Sequence, residues 1–181
     1  VADLVHPKWL IMLVRPGLAR DDVPLVLEFV GMLLSTSPSL AQNWTRLGGF
    51  RVLERTLPPH WDVPCVLPWM WTLLLGPHAP KSSLYHTFAH ATAVAHPQAL
   101  RVIVQCMAHG MMACRTAPAK RRASLPHIPA PPPGLTALED SVRLLVVHSH
   151  NEDVRALLML APTLVAVLRA TAPCFVDEPC G

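Results

Sequence analysis

At 181 residues the chain has room for one domain with a real core or for a few helical repeats, but not for several independent domains. Its charged fraction is 15% where soluble domains usually carry about 25%, and 51% of it is apolar, so much of its surface is expected either to be covered by something else or to sit near a membrane. The net charge of +3 gathers around Lys120, Arg121 and Arg122 rather than along a helix face, which argues against a nucleic-acid partner.

Pro and Gly mark the helix ends. Pro7 opens an apolar stretch, Trp9, Leu10, Met12 and Leu13, that stops at Pro16-Gly17 and predicts a short first helix. Asp22 is placed to cap a second, with Pro24 in its first turn and Leu25, Phe29, Met32 and Leu33 on one face. Ser37 and Pro38 start a third, which runs through Trp44 to Leu47 and ends at Gly48-Gly49. Phe50, Leu53 and Leu57 form the apolar face of a fourth, stopped by Pro58-Pro59. Asp22 to Leu57 thus reads as one three-helix unit of armadillo or HEAT length, about 40 residues.

Asp62 begins the next unit. Pro64 through Leu75 predicts a helix closed by Gly76-Pro77 and kinked at Pro68. Ser82 to Val94 and Pro97 to Cys114 supply two more, the second with Leu100, Ile103, Val104 and Met107 facing inward. From Thr116 to Gly134 periodic leucines give way to Ala, Pro and basic residues, which predicts a long Pro-rich, disordered loop. Thr136 and Glu139 then form a capping-box pair ahead of Val142, Leu145 and Val146. Asn151 caps a following helix, and Pro162 opens the last, running to Pro173.

Six of the seven leucines between Leu27 and Leu57 recur as leucines 111 positions later, as in Leu27/Leu138, Leu33/Leu144 and Leu47/Leu158. The register sets Leu138 to Leu168 beside the first helix triplet as a second copy, although Gly48-Gly49 faces Met159-Leu160 at the turn. The expectation is an all-α, armadillo/HEAT-like α-solenoid fragment. It comprises a helical-repeat segment over 1–115, the loop over 116–134, a continuation of the same array over 135–176 and a tail over 177–181.

The longest apolar runs, Val63 to Pro77 and Ala156 to Leu168, both contain proline; a spanning helix needs about 20 apolar residues, so direct membrane insertion is not expected. The opening Val1-Ala2-Asp3-Leu4 has no signal-peptide character. With Val1 at one end and Cys180-Gly181 at the other, the chain is expected to be a piece of a larger cytoplasmic protein. Cys65, Cys106, Cys114, Cys174 and Cys180 show no CxxC spacing and are expected to be reduced thiols, with a Cys174–Cys180 disulfide as the alternative.

The sharpest local motif is Arg121-Arg122-Ala123-Ser124-Leu125. Its two arginines, spacer, serine and apolar residue resemble the substrate consensus of basophilic kinases, making Ser124 a phosphorylation candidate and the 116–134 loop a kinase contact. Pro126-His127-Ile128-Pro129 has the PxxP spacing that an SH3-like groove accepts, in a chain rich in proline throughout. Trp44, Trp61, Trp69 and Trp71 are a candidate interaction surface, with core packing as the alternative. His86 and His90 stand four apart on a predicted helix, but Thr87 holds the place where a metalloprotease helix needs Glu. No nucleophile elbow, phosphate loop or metal-ligand spacing is present, so no catalytic, metal or cofactor-binding residues are assigned and no cofactor is expected. The acidic residues, Glu139 and Asp140 among them, cluster at helix starts, where they suit the helix dipole.

Gly49-Phe50-Arg51-Val52-Leu53, Leu57-Pro58-Pro59-His60-Trp61-Asp62-Val63-Pro64 and Leu73-Leu74-Leu75-Gly76 together resemble the helical-repeat region of very large BEACH and WD-repeat scaffold proteins, most nearly the branch that also carries a FYVE finger. The resemblance spans Leu4 to Pro77. It implies an armadillo-like piece of a cytoplasmic scaffold in autophagy or vesicle traffic, membrane-associated through domains outside this chain, with other proteins as its partners. The leading expectation is a non-enzymatic scaffold segment. The alternatives are a helical regulatory domain controlling a membrane-traffic GTPase or kinase and, further off, a histidine-dependent metalloenzyme.

Overall fold

The computed structural model describes residues 5–116 and 133–159, and among them the secondary structure is entirely helical. Capping chemistry sets most of the boundaries. Helix α1 (Pro7–Leu13) starts where His6 Nδ1 accepts a hydrogen bond from the Lys8 N–H. After a 3-10 turn at Arg20–Asp22, α2 (Val23–Thr36) runs to Ser37. The Ser37 hydroxyl accepts from the Leu40 N–H at 3.3 Å and starts α3 (Pro38–Arg46), so that the two helices bend by 116° at this point. Gly48 takes φ 81°, a backbone that L-residues rarely adopt, and turns the chain into α4 (Gly49–Thr56).

A 3-10 turn at Pro58–His60 leads to α5 (Val66–Leu75). Helix α6 (Leu84–Phe88) is capped by Ser83, and α7 (Ala99–Thr116), α8 (Pro133–His148) and α9 (Glu152–Leu158) follow. Helix α7 lies at the centre and packs against α4, the Pro58–His60 turn, α5 and α8. Its inward side chains Leu100, Ile103, Val104 and Met107 are all buried, as the spacing predicts. On α5, which packs against α7, Leu67, Met70, Trp71 and Leu74 are fully buried, and burial of a side chain the size of Leu or Met contributes about 1.5–3 kcal/mol. Three tryptophan rings lie against glycines that leave space for them: Trp69 on Gly31, Trp44 on Gly49 and Trp61 on Gly110.

Polar contacts, two of them buried, attach α8 and the turn after it to earlier parts of the chain. Ser141, fully buried, accepts a hydrogen bond from Trp71 Nε1–H at 3.0 Å. Asp140 Oδ2 accepts from the Tyr85 N–H at 3.1 Å, so an acid on α8 satisfies a free amide at the start of α6. His148 Nε2–H donates to the Phe88 carbonyl at 3.0 Å, and the Asn151 amide donates to the Thr92 carbonyl. Burial pushes the His148 pKa below the usual imidazole value, against an upward pull from the Phe88 bond.

Several expected details come out differently. The α2 face expected to turn inward is largely outside: Leu25 is 71% exposed, Met32 56% and Phe29 39%, whereas Leu27, Val30, Leu33 and Leu34 are buried. Helix α2 is apolar on all sides, so periodicity alone does not select the core face. Asp22 precedes α2 without a side-chain capping bond, and Asp62 makes a two-bond ion pair with Arg20, at 2.7 and 2.8 Å. That guanidinium holds the Asp62 pKa below the usual carboxylate range.

Pro68 does not sit mid-helix, because α5 begins at Val66 and places it in the first turn, where its missing N–H costs no bond. Helix α6 stops at Phe88, short of Val94, so His90 lies beyond it. Helix α8 starts at Pro133, which puts Thr136 inside the helix rather than at its cap, and Val142 and Val146 face outward. Helices α7 and α8 reach into both ends of the expected 116–134 loop. The rest of that loop lies outside the described residues, as do the helix expected from Pro162, the tail 177–181, Cys174 and Cys180.

Candidate interaction groove

A groove of about 740 Å³ opens where α2, α3, the end of α5 and the 95–98 segment meet. The α2–α3 bend at Ser37 shapes one wall. The other depends on Gly76, whose φ of 84° ends α5 and releases the chain outward. When the chain returns, the Ala95 N–H donates to the Leu74 carbonyl at 2.7 Å, tying Ala95-His96-Pro97 to the C-terminus of α5.

The floor is apolar, made by Leu34, Ala41 and Leu73. The rim is polar: Gln42 and Arg46 stand on α3, and Gln98 stands opposite. The Thr45 and Thr72 hydroxyls donate to carbonyls four residues back in their own helices, which leaves their oxygens as acceptors toward the groove. His96 is half-buried with its ring 5.9 Å from that of Phe50, and desolvation pushes its pKa down, so it lines the groove as a neutral imidazole near neutral pH. The arrangement sets an apolar floor beneath amide, hydroxyl and guanidinium groups, so it can take apolar side chains below and hydrogen-bond a polar backbone at its rim, where Arg46 supplies a positive charge.

The tryptophan surface is corrected by the fold. Trp44 and Trp71 are fully buried, Trp61 is 8% exposed, and Trp69 is half-buried over Gly31. The helix-packed surface that these rings prefer is the inside of the molecule. The exposed indole is Trp9, at 72%, which with Leu13 and Phe29 borders a smaller apolar cleft of about 410 Å³ between α1 and α2. Arg121, Arg122 and Ser124 lie outside the described residues. Among the described residues, no three His, Cys, Asp or Glu side chains gather as a metal site, and His86 and His90 do not share a helix. Cys106 is buried and its thiol pKa is pushed up by desolvation, whereas Cys114 is exposed.

The sequence does not mark the groove as a site. Its only local signals are the Ser37-Pro38 break and Gly76-Pro77, which mark its two corners. Among the described residues no single helix is long and apolar enough to cross a membrane. Comparison of the chain with protein-family models, with curated proteins and with solved structures finds no match in any of the three.

Proposed function

We propose that this chain is a non-enzymatic, armadillo-like helical-repeat segment that holds an extended peptide of a partner protein in the α2–α3–α5 groove. The observation that carries the reading is the groove itself, an apolar floor under a rim of Gln42, Arg46 and Gln98. The pattern of helix contacts supports the repeat assignment. First helices meet first helices, α2 with α5 and α5 with α8, and α4 meets α7 as third with third. Shifted by 111 positions, the α2 span falls on 134–147, against 133–148 for α8. Leu27 and Leu138 are both buried, as are Leu33 and Leu144.

The resemblance to BEACH and WD-repeat scaffolds belongs to the same reading. The motifs that carry it fall in the first part of α4, the turn that follows and the end of α5. On that reading the chain serves a cytoplasmic scaffold in autophagy or vesicle traffic, with Ser124 as a site of control. Selection of a random peptide library on the immobilised protein tests the groove. Enriched peptides should lose about tenfold or more in affinity with Ser35→Trp, which places an indole over the groove from an exposed lining position. They should bind Lys8→Ala like wild type. Failure to enrich any peptide, or equal binding by Ser35→Trp, would count against the reading.

A further inference from the structure

A second, chemically different cleft lies between α4 and α7, with a volume of about 460 Å³. It is lined by Arg51, Glu54, Arg55, Arg101 and Gln105, and it shares no lining residue with the peptide groove. The arrangement follows from helix periodicity. Arg51 and Arg55 are four apart on α4, Arg101 and Gln105 are four apart on α7, and packing of the two helices brings the pairs together. Glu54 Oε1 accepts a hydrogen bond from Arg101 Nη2 at 3.1 Å, which fixes the Arg101 side chain across the seam.

The charges in the cleft do not balance. Three guanidinium groups face one carboxylate, and that carboxylate is engaged by Arg101. Arg51 and Arg55 make no ion pair with any described residue, and as like charges four apart on one helix they repel each other. The local excess is two positive charges. A single Asp or Glu side chain would leave half of it, whereas a phosphate monoester carries about −1.5 to −2 near neutral pH and offers three acceptor oxygens to the planar Arg forks.

From this geometry we infer that the α4–α7 cleft is a receptor for a phosphorylated residue on a partner peptide. Arg51 and Arg55 grip the phosphate, Arg101 is held ready by Glu54, and Gln105 supplies a neutral amide donor. No aromatic side chain lines the cleft to stack a base, and its three arginines share one small pocket, which favours a peptide over a nucleic acid. The chain's own Ser124 is a poor occupant, because Lys120, Arg121 and Arg122 would bring three positive charges into a cleft that already has an excess of them.

Fluorescence anisotropy on the whole chain tests the inference, with a labelled library of peptides carrying a central phosphoserine among random flanks and its unphosphorylated twin as probes. The phosphorylated library should bind about tenfold or more tightly than its twin, and Arg51→Gln with Arg55→Gln should remove that difference. Arg15→Gln, at an exposed position elsewhere, should keep it, and circular dichroism should show the same fold in all variants. Ser35→Trp should keep it as well, so loss of the groove reading would leave this result intact. Equal binding of the two libraries, or a phosphate preference that survives the double substitution, would overturn the inference. Competition by inorganic phosphate at peptide concentrations would assign the cleft to a free anion, and an RNA oligonucleotide bound through the same arginines would assign it to nucleic acid; either result would overturn it.

Discussion

Replacing Ser141 with Ala isolates the contact that joins α8 to α5. The Ser141 hydroxyl donates to the Ala137 carbonyl at 2.7 Å and accepts from Trp71 Nε1–H at 3.0 Å, with both side chains fully buried. The substitution leaves the Ala137 carbonyl with its helical bond but strips the indole N–H of its acceptor. A buried donor left unpaired costs about 1–3 kcal/mol, and each kcal/mol lowers the melting temperature by about 2–4 °C in a chain of this size. Urea unfolding followed by circular dichroism should show this loss with an unchanged slope. Trp71→Phe supplies the control. Phenylalanine has no N–H, so Ser141→Ala should cost little more in that background, and the coupling of the pair should be about 1 kcal/mol or larger. A cost below about 0.5 kcal/mol, or the same cost in both backgrounds, would refute the view that this hydrogen bond docks α8.

Two further perturbations follow from the packing. Because burial holds the folded His148 pKa below its unfolded value, the unfolded chain binds the proton more readily; stability should fall as pH drops from about 7.5 through about 6.5 toward the folded pKa. His96 is displaced in the same direction, so His148→Asn should flatten the melting-temperature profile only in part, and an unaltered profile would contradict the assignment. Gly31→Ala would drive a Cβ into the Trp69 indole, and overpacking of this kind costs about 1–3 kcal/mol in guanidinium unfolding. The neighbouring exposed Glu28→Ala should stay within about 0.5 kcal/mol of wild type, and equal effects of the two would contradict the packing.

What the sequence reveals here is what local chemistry decides. Ser37-Pro38, Gly48-Gly49, Pro58-Pro59 and Gly76-Pro77 mark boundaries because capping and left-handed turns depend on a few adjacent residues. The inward face of α7 is also readable, since its apolar stripe is clear. Faces fail where the pattern is inverted or absent. On α8, polar Asp140, Ser141 and His148 are buried while Val142 and Val146 are exposed, because Tyr85, Trp71 and Phe88 supply partners that lie far away in sequence. Both proposed sites share that origin. The groove needs the return of Ala95-His96 to the end of α5, and the arginine cleft needs α4 set against α7. Their sequence traces are slight: Arg51 with Arg55 and Arg101 with Gln105, each pair four apart, become a cleft only when the helices are paired.

Amide hydrogen exchange with and without a groove-selected peptide is the most direct measure of the proposed function. Binding should slow exchange across α3 and the backbone of Ala95, His96 and Gln98, with α1 and the first half of α2 unaffected. Protection centred on Trp9 and Phe29, or spread evenly over the chain, would contradict the groove as the site where this protein holds its partner.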